Sequence, residues 1–262
     1  MPTVLHCPLG ATLEGVALSD LDHHGVERLK DLLAAHGVVH LPRQQVDDLG
    51  FVAALRRLGP LTFTTGETPV PGHPDLNVVT NVGRTRPPRS SFHVDTSYVR
   101  EPPAYTALRA VDVPDEGGAT MFTDQRRALA TLPAALRQRI AGRTLTHVVT
   151  GLHLDDDAES SADHPLVRPH PRDGRPSLFL TTPPRCAAIS GMDEAETTAV
   201  VDALFAHSIR EDNRLRHRWS PGDVVIWDNA RVLHAADHTA VVGDRMLHRG
   251  MIAAAGHLPT HG

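Results

Sequence analysis

The chain has 262 residues, 40% hydrophobic and 22% charged, with a formal net charge of −5. That composition suits an ordinary globular domain with a sizeable core, and the mildly acidic balance argues against a nucleic-acid-binding face. No apolar run reaches the length of a membrane span, the start MPTVLHCPLG has no signal-peptide pattern, and Cys7 and Cys186 are too few for a disulfide framework or a four-cysteine zinc site.

The first element is LSDLDHHGVERLKDLLAAHG, which reads as a helix. Ser19 is placed to cap it, Val26, Leu29, Leu32 and Leu33 form an apolar stripe, and Gly37 stops it. VVHLP is a short strand, and VDDLGFVAALRRLG a second helix ending at Gly59. The pattern then changes to short β-type runs: LNVVT, SFHVDTSY, AYTALRAV, ATMFTD, LTHVVT, PLVRPH, SLFLT, DVVIWD and RMLHRGMIA. Gly, Pro, Asn and Asp separate them, and one helix, DEAETTAVVDALFAHSI, interrupts them around 193–209. The fold class is therefore mainly β with flanking helices (α+β), a sandwich, barrel or jelly roll. No repeat or long linker divides the chain, so residues 1–262 are expected to form a single domain. The acidic, non-periodic segment GLHLDDDAESSADH at 151–164 is expected to be a mobile lid.

Chemistry concentrates in SFHVDTS. On a strand, residues i and i+2 share a face, so His93 and Asp95 would project together while Val94 faces away. An imidazole and a carboxylate can each give a lone pair to one cation. His234, in DVVIWDNARVLHAADH, is the best third donor, and two His with one carboxylate leave a face of the metal open. A plain hydrogen bond between His93 and Asp95 is the simpler alternative, in a chain with 18 histidines. In GDRMLHRGMIAA, Arg245 and Arg249 share a strand face with Leu247, while Met246 and His248 face away. Inward guanidiniums are costly unless anions meet them, and a dicarboxylate would supply two.

In order, FHVDTS, GGATMFTD, HPLVRPHPRDGRPSLFL, WDNARVLHAADH and RMLHRG resemble the taurine dioxygenase (TauD/TfdA) family of Fe(II)- and 2-oxoglutarate-dependent oxygenases. The resemblance runs from about residue 9 to about residue 253 and implies a double-stranded β-helix (jelly roll, cupin-like) core. It implies His93, Asp95 and His234 as iron ligands and catalytic centre. Thr120 and Arg245 would hold the far carboxylate of 2-oxoglutarate, and Arg249 would lie near its other end, within reach of substrate. Trp227 and Asn229 match a WDN signature, read as packing and turn-forming. The resemblance further implies O2 as co-reactant and oxidation of an unactivated C–H bond of a small organic molecule, by hydroxylation, desaturation or ring formation. Asp95 argues against halogenation, which needs a small residue there.

One departure concerns substrate. Thr64, in GPLTFTTGE, stands about where the taurine enzyme has a sulfonate-binding histidine, so taurine is not expected. Thr64, Tyr98, Val149 and Arg249 are the candidate substrate residues. Arg84, Arg86 and Arg89 either attract an anion or form a solvated loop, the second being the better reading. Two other classes stay open: a non-redox metal-dependent hydrolase, and a non-catalytic jelly-roll binding protein. The expected partner is a small molecule, not nucleic acid or membrane, in a cytoplasmic setting. A homo-oligomer is left open.

Overall fold

The computed structural model describes residues 3–6, 9–64, 66–83, 90–152, 154 and 158–254. Arg84, Arg86 and Arg89 lie outside the described residues, as do 153 and 155–157 of the expected lid.

The amino-terminal part gives strands β1 (Thr3–His6), β2 (Ala11–Glu14) and β3 (Val38–Leu41), with helices α1 (His23–His36) and α2 (Asp48–Leu58). The cap of α1 is Asp22, not Ser19: its carboxylate accepts from Gly25 N at 2.7 Å, while Leu18–Asp20 form a separate 3-10 turn. Gly37 ends α1 at φ 75°, a conformation that costs a glycine little. Short β4 (Leu61–Thr62) and β5 (Pro69–Val70) lead to β6 (His73–Thr80) and β7 (Tyr105–Asp112). Next come β8 (Thr120–Asp124), α3 (Gln125–Ala130), α4 (Ala134–Ile140), β9 (Thr144–Val148), β10 (Ser161–Pro165), β11 (Val167–Pro169) and β12 (Pro176–Leu178). The carboxy-terminal part holds β13 (Cys186–Ile189), α5 (Glu194–Ser208), β14 (Arg214–His217), β15 (Val224–Asp228), β16 (Val232–Ala236) and β17 (Met246–Ile252).

The larger sheet runs β1-β2-β3-β15-β7-β17-β6-β5, with β4 on β17, and the smaller runs β14-β8-β16. Together they make a jelly roll. Strand β15 shows how the two faces are filled. Val224 and Ile226 join the cluster under α1 and α2, with Leu29, Leu33, Phe51 and Leu55. Val225 and Trp227 point between the sheets, against Leu108, Phe122 and Leu247. Both faces are buried, so the strand reads as the unbroken apolar run VVIW. A third cluster packs α3 and α5 against β9, β12 and β13. Among the described residues no helix is long and apolar enough to cross a membrane.

Two further expectations need correction. Residues 161–165 are not loop: β10 pairs antiparallel with β9, Ser161 opposite Val148. Nor is SFHVDTSY a strand. Only His93 is bridged, to His234, and residues 95–98 form a turn with Thr96 at φ 47°. A β-branched residue in the left-handed region ends any extended run.

Candidate active site

The three donors meet by a route other than the strand periodicity. His93 N donates to His234 O and His234 N to His93 O, both at 3.0 Å. Residues directly opposite in an antiparallel bridge put their side chains on one face, which brings the rings to 4.3 Å between centroids. The turn that follows swings Asp95 back toward them.

His93 Nε2 lies 3.7 Å from Asp95 Oδ1, and His234 Nε2 lies 3.7 Å from Asp95 Oδ2. Those gaps exceed a hydrogen bond, so the simpler pairing of His93 with Asp95 is not made. One ligand atom from each residue falls within 4.8 Å of the other two. His93 Nδ1 donates to Ser91 O at 2.8 Å, which fixes the ring with Nε2 turned toward Asp95. Burial holds the His234 pKa down to about 3, so the ring is a neutral donor. Burial alone would raise the Asp95 pKa, but His234, Arg249 and His93 outweigh it and hold the carboxyl well below the usual range. Two imidazoles, that of His234 held neutral, and an ionised carboxylate converge on one point and fit a divalent iron.

Arg245 and Arg249 open into the same cavity of about 200 Å³ as His93, His234 and Thr120. Arg245 is 1% exposed. Its Nε donates to Gly118 O at 2.8 Å and its Nη2 reaches Thr120 Oγ1 at 3.4 Å, while the buried Nη1 has no partner among the described residues. Burial lowers its pKa to about 10. The GGAT motif makes room for this: a Cβ on Gly118 would sit 3.0 Å from Arg245 Cδ, and one on Gly117 2.7 Å from Ala240 O. Both glycines have positive φ.

Arg249 reaches this cavity already paired. Its Nη1 donates to Asp95 Oδ1 at 3.2 Å and its Nη2 lies 3.1 Å from Glu67 Oε1. It is therefore matched by two carboxylates and is not a free cation for an anionic substrate. Thr64 Oγ1 is 3.0 Å from Thr96 Oγ1, and both line a second cavity of about 150 Å³ with Tyr98, Leu154 and Ala158. Val149 lines neither cavity; its N–H extends the β9–β10 hairpin by donating to Ser160 O at 2.9 Å.

Sequence reasoning missed Thr106, Ser91 and Glu67, and understated Asn229. Thr106 Oγ1 donates to Asp95, and Asn229 Nδ2 donates to Thr106 Oγ1. Asp228 is also more than a turn residue: it accepts from buried His170 at 2.8 Å and from Ala230 N at 2.9 Å. The WDN signature was the available signal for Asn229, and none pointed to Thr106.

A family model described as "Taurine catabolism dioxygenase TauD, TfdA family" matches residues 3–251. The chain is 29% identical over 261 residues to an (S)-phenoxypropionate/alpha-ketoglutarate-dioxygenase of Delftia acidovorans, covering 87% of this chain and 86% of that protein. It is 29% identical over 277 residues to an alpha-ketoglutarate-dependent sulfate ester dioxygenase of Pseudomonas putida, covering 96% and 88%. A taurine dioxygenase structure from Burkholderia xenovorans superimposes with a TM-score of 0.82 at 28% identity, covering 97% of this chain and 91% of that one.

Proposed function

The chain belongs to the taurine catabolism dioxygenase TauD, TfdA family, and from that membership we propose which of its residues carry the reaction. It is a 2-oxoglutarate-dependent dioxygenase that oxidises a small organic substrate. His93, Asp95 and His234 hold Fe(II). Arg245 and Thr120 hold the far carboxylate of 2-oxoglutarate. Bound iron supplies O2 activation coupled to decarboxylation of 2-oxoglutarate to succinate and CO2.

The observation that carries this reading is the buried, unpartnered Nη1 of Arg245, in the same cavity as the His93 and His234 donors. A desolvated guanidinium needs an anion, and a hydrolase on the same donors needs none there. Nor does a binding protein require an ionised carboxylate between two imidazoles.

We place the oxidised C–H bond near Thr64, Thr96 and Tyr98, in the cavity lined by Thr96, the residue that follows Asp95. Its hydroxyls and apolar walls suit a neutral or weakly polar molecule better than a sulfonate. Thr64 gives one hydrogen bond and no charge, and the Arg249 charge is met by Asp95 and Glu67. Taurine is therefore a poor substrate in this reading. The test is a panel of small organic compounds, taurine included, scored by substrate-stimulated succinate release from Fe(II)-loaded enzyme. Stimulation by neutral compounds and not by taurine is expected. Efficient release of sulfite from taurine would overturn the substrate assignment.

A further inference from the structure

Behind Thr120 lies a second cluster that this chemistry does not use. His40 on β3, His217 at the end of β14 and Asp223 in the turn before β15 each bring a ligand atom within 4.8 Å of the others. Nε2 of His40 is 3.0 Å from Asp223 Oδ1, and Nε2 of His217 is 3.2 Å from Oδ2. The two rings are 4.7 Å apart, tilted by 58°. Donors about 2.0 Å from a tetrahedral zinc are about 3.3 Å from one another, so the spacing fits.

Both contacts are within ion-pair distance of the one carboxylate. Both Nε2 atoms are buried, and among the described residues neither makes a well-aligned hydrogen bond. Asp223 is 2% exposed, and its Oδ2 instead accepts from Ser220 N at 2.9 Å. Two imidazole nitrogens and a carboxylate thus converge on one buried point, an arrangement that a cation among them would satisfy. The far nitrogen of His40 lies 3.5 Å from Thr12 Oγ1, a contact of the kind that orients a ligating ring.

We propose that His40, His217 and Asp223 bind a second divalent cation of the zinc type, apart from the iron. Neutral imidazoles with a single carboxylate suit zinc better than calcium or magnesium, which take oxygen ligands. The ion would brace the cosubstrate pocket from outside. His217 pairs with Thr120 across β14 and β8. The Trp219 ring meets His217 edge-on at 4.6 Å, and its Nε1 donates to Thr120 Oγ1 at 3.1 Å.

The test uses the full chain carrying His93→Ala and Asp95→Ala, which removes the iron site, with zinc sulfate as the titrant. One tightly held equivalent is expected by calorimetry and by elemental analysis after desalting. The zinc X-ray absorption spectrum should show two imidazoles at about 2.0 Å. Adding His40→Gln and His217→Gln should abolish that equivalent while the far-ultraviolet circular dichroism stays that of the parent. The proposal is overturned if the folded His93→Ala/Asp95→Ala chain binds no zinc, or if its zinc survives both glutamine changes. The spectrum needs no further variant to fold: bound zinc without imidazole neighbours also overturns the proposal.

Discussion

Thr106 Oγ1 donates a 2.8 Å hydrogen bond to Asp95 Oδ2. The same hydroxyl accepts from Asn229 Nδ2 at 2.9 Å, and Asn229 Oδ1 accepts from Trp227 Nε1 at 3.1 Å. All four residues are buried. A chain of fixed donors thus runs from the core between the sheets to the carboxylate, and sets its orientation before any ion arrives.

Thr106→Val keeps the shape of the side chain and removes the hydroxyl. Fe(II) affinity should fall by about 10- to 100-fold, the usual effect of losing a group that orients a metal ligand. Anaerobic Fe(II) titration checks this. Unchanged affinity would show that Asp95 is placed by other contacts.

Arg245→Ala should weaken 2-oxoglutarate binding by roughly 2–5 kcal/mol, because a desolvated charge pair is lost. Arg245→Lys should not restore it, since a single ammonium cannot replace the planar fork that now engages Gly118 and Thr120. Calorimetric titration with 2-oxoglutarate is the check, and wild-type affinity in the alanine variant would place the clamp elsewhere.

How much of this was legible in the residues depends on range. The stripe of α1 and the apolar run of β15 are local patterns, and both elements formed where periodicity put them. The turn at 95–98 was hidden because SFHVDTS has β-type composition, while the bridge to His234 is a pairing no local window contains. Helices α3 and α4 span only six and seven residues, too short for a periodic signal. Strand β14 reads RLRH, with little apolar content to mark it. The donors themselves stood out by residue type. Their support did not: Asn229 and Thr106 are 123 positions apart, and only the jelly roll brings them together.

Glu67→Gln should relax specificity toward anions. It removes the carboxylate 3.1 Å from Arg249 and leaves that guanidinium less neutralised. The pair is partly solvent-screened, so the preference for a carboxylated over a neutral substrate should rise by only about threefold to tenfold. Succinate release with matched anionic and neutral compounds measures the ratio, and a ratio unaffected by the change would sink the idea.

His147 gives a pH prediction. Burial, with a smaller contribution from His164, pushes its pKa from 6.5 down to about 3, and the ring stacks on Phe179 at 5.4 Å. The folded state thus holds the neutral form while the unfolded chain takes up a proton. The contribution is fully present above the unfolded value and is lost as pH falls from about 6.5 toward 3, by up to about 1.4 kcal/mol per unit. His147→Phe should flatten that part of the profile. Denaturant melts across this range, compared between the two proteins, provide the check, and parallel curves would contradict the assignment.

The central claim is that His93, Asp95 and His234 hold the iron that couples 2-oxoglutarate to O2. It is tested most directly by succinate release with saturating Fe(II), 2-oxoglutarate and O2, comparing wild type with a folded His93→Ala variant. Succinate should form in the wild type only when all three are present, and should fall to background in the variant. Wild-type succinate release by His93→Ala would contradict the account.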